Sequence, residues 1–255
     1  MGNNSQRRII NNYQGLGGAV GELDQETVRD FYEKVEEIWP EDDPWHLYSK
    51  SQIEKNLRAH YFPTDAYVLN AGSGGSDYGL SCKMHHVDLA ENKIMKHENY
   101  TVASISQLPF SDEQFTDIIC VGSVLNYCGA VEALAELTRV LRPSGFLLLE
   151  YESSCGFGYM GQEAYYKQHA VLATVDYRRE RHMQWLYSPC YINGVLGSIG
   201  LKIIKSIGFH YFSGLYLKIT GNEQKATKFA KFDNIARRLP FIHMHAHNMF
   251  LVCQK

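Results

Sequence analysis

Three groups of residues in this chain have types and spacings suited to chemistry. The first is Val68-Leu69-Asn70-Ala71-Gly72-Ser73-Gly74-Gly75-Ser76, an apolar run that ends in a G-x-G turn. Glycines there let backbone approach a ligand where a side chain would clash. Asp77 stands where the dinucleotide pattern has its third glycine, so the G-x-G alone fits a ligand loop or a plain tight turn. The second group is Asp88, sixteen residues after Gly72 and at the end of another short strand-like run. A carboxylate there can accept hydrogen bonds from both hydroxyls of a ribose, or it can cap a helix starting near Ala90. The third group is histidine. His169 and His182, near Tyr165, Tyr166 and Tyr177, are either bases or structural residues. His243, His245 and His247 alternate, which on a strand would place them on one face. With no acidic or cysteine partner nearby they read as strand-edge histidines, and no metal is expected.

The elements that must position these groups follow from periodicity. Asp24 is an N-cap for a helix carrying Val28, Phe31, Tyr32, Val35 and Ile38 up to Trp39-Pro40. An acidic turn leads to a second helix over 51–61. From residue 66 short apolar runs (66–71, 84–88, 99–103, 116–122 and 146–150) alternate with helical stretches, which predicts a parallel sheet covered on both faces. Residues 130–141 form an amphipathic helix, stopped by Pro143 and Gly145. Residues 153–187 are aromatic and polar and read as an insert. A helix near 190–199, a strand over 201–212, a polar helix over 223–238 and a final strand over 247–253 complete the pattern. The expected fold is α/β: a doubly wound, Rossmann-like, mostly parallel seven-stranded sheet with an antiparallel last strand. Residues 1–62 provide an N-terminal arm and cleft-covering helices, 63–255 the main domain, and 153–187 a cap on the substrate side.

Composition narrows the function. A chain of 255 residues buries one sizeable core, and a formal net charge of −3 gives no global basic field for nucleic acid or anionic membrane. The most basic run, Arg178-Arg179-Glu180-Arg181-His182, reads as a solvated face. The glycine-rich residues 15–21 lack a preceding strand and read as a flexible arm. Six cysteines without a C-x-x-C pair suit a reducing compartment. No secretory h-region and no apolar run of membrane-spanning length is present, so a soluble cytoplasmic protein is expected.

Residues 66–151 resemble the core of the class I S-adenosylmethionine-dependent methyltransferases, in particular the broad small-molecule, type 11-like group. The landmarks are Leu69-Asn70-Ala71-Gly72-Ser73-Gly74, the strand-end Asp88, Leu108-Pro109-Phe110-Ser111-Asp112 with Phe115-Thr116-Asp117, and Leu137-Thr138-Arg139-Val140-Leu141-Arg142-Pro143-Ser144-Gly145. The resemblance implies S-adenosylmethionine as cofactor, with S-adenosylhomocysteine as product. It also implies that Asn70, Gly72, Ser73 and Gly74 lie along the methionine part, and that Asp88 holds the ribose hydroxyls. Leu89, Ser104 and Ile105 would meet the adenine, and Gly122 and Ser123 would lie near the sulfonium. Two positions depart from the family pattern. Asn70 replaces an acid, keeping an acceptor oxygen without the charge, and Ser104 replaces the adenine-side acid. The segment between the glycine loop and Asp88 is also about one helical turn short.

Methyl transfer leaves much of the work to positioning. The run Gly122-Ser123-Val124-Leu125-Asn126-Tyr127 lacks the prolines of DNA amino-methylating enzymes, and Pro189-Cys190 comes too late for a cytosine nucleophile. The expectation is therefore transfer to oxygen or nitrogen of a small molecule, with no DNA or membrane partner, by a monomer or homodimer. No catalytic base is assigned. The alternatives are a cofactor-binding or catalytically lost interaction protein on the same fold, and a protein or RNA methyltransferase.

Overall fold

The structure, a computed structural model, describes residues 23–166, 169–177, 180–239 and 241–255. Residues 15–21, read as an arm, and Arg178 and Arg179 of the basic run lie outside them. In chain order the first elements are α1 (Gln25–Lys34), α2 (Pro44–Arg58), β1 (Tyr67–Ala71), β2 (Lys83–Asp88), α3 (Glu91–Ile94), β3 (Tyr100–Val102) and β4 (Phe115–Cys120). There follow α4 (Ala130–Val140), β5 (Leu141–Glu152), β6 (Ala170–Tyr177), β7 (Glu180–Tyr187), α5 (Pro189–Ser198) and β8 (Lys202–Phe209). The last are α6 (Phe212–Thr220), α7 (Glu223–Thr227), α8 (Asp233–Ala236) and β9 (Asn248–Gln254).

Seven strands form one sheet in the order β3-β2-β1-β4-β5-β9-β8. β1 to β5 pair in parallel, and β9 runs antiparallel to both neighbours. The order reverses between β1 and β4, so a crevice opens at their carboxyl ends, where doubly wound sheets bind ligands. Alternation along the strands fills two cores. Leu69, Ala71, Ile118, Cys120, Leu147, Leu149 and Leu251 share one with Leu134 and Leu137 of α4 and Ile192 and Leu196 of α5. Val68, Ile119, Leu148 and Phe250 share the other with Ile53 and Leu57 of α2.

That second core contains a departure from the strand–helix rhythm: no helix joins β1 to β2. Glycines, serines and Asp77 are poor helix formers, and Asp77 Oδ1 accepts instead from Gly79 N at 2.9 Å in a local turn. Tyr78 and Gly79 both adopt left-handed backbone, with φ of 54° and 66°. The face a crossover helix would cover is taken by α2, whose Ile53 and Leu57 pack in one cluster with Tyr78 and Leu80.

Several expected boundaries shift. Asp24 caps α1 as anticipated, its carboxylate accepting from Thr27 N at 3.2 Å, but the helix stops at Lys34. Val35 turns extended, and Pro40 disfavours helical backbone at Trp39, so Ile38 and Trp39 drop inward. The second helix begins at Pro44, not 51, because Asp43 accepts from His46 N at 3.0 Å and proline suits the first helical position. The expected helix over 223–238 is broken into α7, a 3-10 turn (Lys228–Phe232) and α8. At the break, buried Asp233 accepts from His210 N, Tyr211 N and Tyr48 Oη. The insert after β5 contains a separate two-stranded hairpin, β6–β7, absent from the sequence reading. His243–His245 form a 3-10 turn and His247 precedes β9, so these histidines are not an alternating strand edge. No helix among the described residues is long and apolar enough to cross a membrane.

Candidate functional site

The crevice between β1 and β4 holds two adjoining cavities. The first encloses about 840 Å³ including its open mouth, and its floor is the turn after β1. Gly72 N and Ser73 N donate to Val87 O at 2.8 and 3.0 Å, tying the turn to β2. Gly72 has φ +70°, and a Cβ there would lie 2.3 Å from Val124 Cγ1, so glycine is required both by conformation and by space. Asp88 ends β2 with both oxygens engaged: Oδ2 accepts from Gly74 N at 2.8 Å and Oδ1 from Ala90 N at 3.0 Å. Burial raises its carboxyl above the usual range, and these backbone donors pull the other way. Leu89 is a third backbone donor to this carboxylate, so of its roughly four acceptor positions about one is left for a ligand hydroxyl.

Of the residues singled out from sequence, Gly72, Ser73, Gly74, Asp88, Leu89, Ser104, Ile105 and Gly122 line this first cavity. Ser123, next to Gly122, lines the second. Asn70 lines neither. It is 1% exposed, and its Nδ2 donates to Ser76 O at 2.7 Å, so it braces the glycine loop from behind. The sequence reading expected cleft-covering helices in residues 1–62 but named none of their residues as lining the site. Val28, Tyr32, Ile38 and Trp39 line the cavity, and so do Lys93 and Tyr127. The segment is fastened by Asn92 Nδ2 to Glu33 O at 2.9 Å, by Lys93 Nζ to Val35 O, and by Leu23 N to Tyr127 O at 3.4 Å. The amphipathic pattern of α1 was the signal available for this contact.

The second cavity encloses about 660 Å³ including solvent at its mouth and shares Gly122, Tyr32, Ile38, Trp39 and Tyr127 with the first. Trp45, His46 and Ser49 of α2 form one side, His182 and Gln184 of β7 another, and Glu150, Glu152 and Asn248 the sheet side. Glu150 is the joint between the cavities. Its Oε2 accepts from Gly122 N and Ser123 N at 2.8 Å each, holding the left-handed Ser123 (φ +61°), and Oε1 accepts from Asn248 Nδ2 at 2.7 Å. Burial pushes its carboxyl up to about 7, against those three hydrogen bonds and with help from the neighbouring Glu152 charge. Glu152 meets His247 Nε2 at 3.0 Å and accepts from Tyr159 Oη. Asn126 locks the hairpin over this cavity: its Nδ2 donates to Glu152 O at 2.9 Å and Trp185 O at 2.6 Å. His182 Nε2 meets Tyr127 Oη at 2.9 Å. His169 stands elsewhere, with Cys155 and Cys190 around a third hollow.

Among the described residues, one group has metal-ligand spacing: Asp43, His46 and Glu223, each half-buried. His46 is otherwise held in an ion pair with Asp43 at the start of α2.

The arrangement suits two small molecules side by side, one against glycine backbone and an acid, the other against aromatic rings and acids. Residues 68–149 match a family described as a methyltransferase domain. An uncharacterized protein of Methanocaldococcus jannaschii is 24% identical over 132 residues, which is 48% of this chain and 50% of that one, so the match spans about half of that relative's length. Among solved structures, the chain is similar to 1,6-didemethyltoxoflavin-N1-methyltransferase of Burkholderia thailandensis, with bound 1,6-didemethyltoxoflavin and S-adenosylhomocysteine. That likeness has a TM-score of 0.58 at 13% identity, over 98% of this chain and 96% of that one. It is also similar to the 4+2 cyclase SpnF, with a TM-score of 0.59 at 12% identity over 93% and 99% of the two chains. At such identities the likeness carries the fold, and function must be argued from the site.

Proposed function

We propose that the chain is a class I S-adenosylmethionine-dependent methyltransferase that methylates oxygen or nitrogen of a small molecule. The observation that carries this is the meeting of two cavities at Gly122, one fitted to the cofactor and one walled for an acceptor. The cradle fits the cofactor on the chain's own terms. A Cβ at Gly72 would collide with Val124, which lines the same cavity, Asp88 keeps an acceptor position open, and the first cavity ends where the second begins. In this reading Gly72, Ser73 and Gly74 lie along the methionine part. Asp88 accepts from the ribose hydroxyls, and Leu89, Ser104 and Ile105 flank the adenine. Gly122 and Ser123 border the sulfonium, and Asn70 acts as a brace behind the loop. The bound cofactor supplies a methyl carbon on a positively charged sulfur. The protein's part is to hold the acceptor at the Gly122 turn and keep water away, which Trp39, Tyr32 and Tyr127 do from above. An acceptor cavity closed by α2 on one side and β7 on the other supports a small molecule over a polymer.

One observation favours a second reading, cofactor binding without methyl transfer. Asn70 carries no charge and is turned into its own loop, and the solved chains of this shape include a cyclase. Isothermal titration calorimetry with S-adenosylmethionine and S-adenosylhomocysteine tests the cofactor site. Micromolar binding that Asp88→Ala weakens at least tenfold is expected, and a folded wild type that binds neither would sink the proposal. Release of S-adenosylhomocysteine dependent on an added acceptor then separates the two readings.

A further inference from the structure

The second cavity is chemically one-sided. Its wall carries Glu150 and Glu152 and, among the described residues, neither lysine nor arginine. The two acids are two residues apart on β5, so both side chains leave the same face of the strand, and each is 1% exposed. Around them stand the rings of Tyr32, Trp39, Trp45 and Tyr127. Two amide atoms among the lining residues have no protein partner: Asn248 Oδ1 and Gln184 Nε2, on side chains 6% and 2% exposed. Folded proteins rarely leave such atoms unpaired unless something else completes them.

The pattern of missing partners selects a ligand. Three of the roughly four acceptor positions of Glu150 are filled, by Gly122 N, Ser123 N and Asn248 Nδ2, which leaves one on Oε1. Asn248 Oδ1 belongs to the same amide that bonds Oε1. An acceptor lobe of a carboxylate and an amide oxygen thus lie together, and both call for N–H donors or positive charge. A hydroxyl brings one hydrogen, whereas an ammonium brings up to three. Aromatic faces attract cations as well. An anionic ligand would face two buried acids with neither lysine nor arginine on the wall, His247 being engaged with Glu152.

We propose, building on the methyltransferase reading, that the methyl acceptor is a small amine seated by Glu150 and Asn248 among these rings, so that nitrogen receives the methyl group. An amine arriving as ammonium can pass a proton to Glu150 Oε1. The N–H bond breaks, an O–H bond forms, and nitrogen keeps the electron pair it needs. Gln184 Nε2 donates to an acceptor atom elsewhere on the same molecule.

The test uses the full chain saturated with S-adenosylhomocysteine and titrated with matched amine and alcohol pairs. The skeletons are benzyl, phenethyl, indolylethyl and linear chains of four to six carbons. At least one amine is expected to bind tenfold or more tightly than its alcohol. Glu150→Gln should cut that preference below about threefold. If S-adenosylhomocysteine binds and no amine outperforms its alcohol, the nitrogen inference fails while the methyltransferase reading stands. A Glu150→Gln protein with wild-type preference also overturns it. Failure to bind S-adenosylhomocysteine overturns the underlying reading, and the acceptor role with it.

Discussion

The cavity after β1 and the cavity between β5 and β7 meet at Gly122, yet they are assembled in opposite ways. The first has a floor of glycine backbone with one acid at a strand end and the turn after β4, and residues 72–128 contribute most of its lining. The second is side chain, drawn from α2, β5, β7, β9 and the turns between them. A site of backbone tolerates little change in shape, whereas a site of side chains tolerates changes in chemistry. That division suits a constant cofactor beside a family-specific acceptor.

The comparison can be broken most sharply at the glycine loop. Gly72→Ala places a Cβ against Val124 and forces a left-handed backbone that costs about 1–2 kcal/mol for a non-glycine residue. S-adenosylhomocysteine affinity should fall a hundred- to a thousandfold, roughly 3–4 kcal/mol by calorimetry. A tenfold effect or less would show that shape is not the constraint there.

The face of the sheet opposite α4 offers the next test. If α2 replaces the absent β1–β2 helix, its fully buried Leu57 belongs to the core. Leu57→Ala should then cost about 3 kcal/mol in urea unfolding, like Leu137→Ala in α4. A loss under 1 kcal/mol would make α2 a dispensable cover.

Glu150 gives the side-chain cavity a pH signature. In the unfolded chain it deprotonates near 4.5, while in the folded protein burial holds the proton to about 7. The folded state therefore binds more protons between these values, and stability falls as pH rises through that window, by about 3 kcal/mol in all. Glu150→Gln should flatten this stretch of the stability profile. An unchanged slope would remove Glu150 as its source.

The smallest effect is expected at Asp24, whose loss as Asp24→Ala removes the cap of α1 and should lower the urea-unfolding midpoint only slightly. Because α1 walls the cofactor cavity, cofactor affinity should weaken a few-fold alongside.

What was legible in the sequence follows the same division. The strands, the G-x-G turn, Asp88 and the β4 exit are local signals, and the structure brings eight of the ten singled-out residues to the first cavity. Asn70 was legible as a departure, but its commitment to Ser76 O depends on how an irregular loop closes. The missing β1–β2 helix showed only as a shortened segment, since nothing local says that α2 takes its place. The hairpin hid for a physical reason. Val171, Ala173 and Val175 alternate as a strand should, but β7 turns His182 and Gln184 toward a polar cavity, so its inward face is not apolar. Glu150 read as the end of an apolar strand and Glu152 was not singled out, because the partners that make them a site come from β9 and its approach and from the β4 turn.

The borrowed helix also has a consequence in time. Ile53 and Leu57 leave the ribosome well before Phe209 and Phe250, which share their cluster. At about 5–20 residues per second, α2 must wait roughly ten to forty seconds for the last strand. Over that interval its apolar face is without its full complement of partners. The step that finally seats it joins Leu57 to Phe250, and contacts so far apart in sequence form slowly.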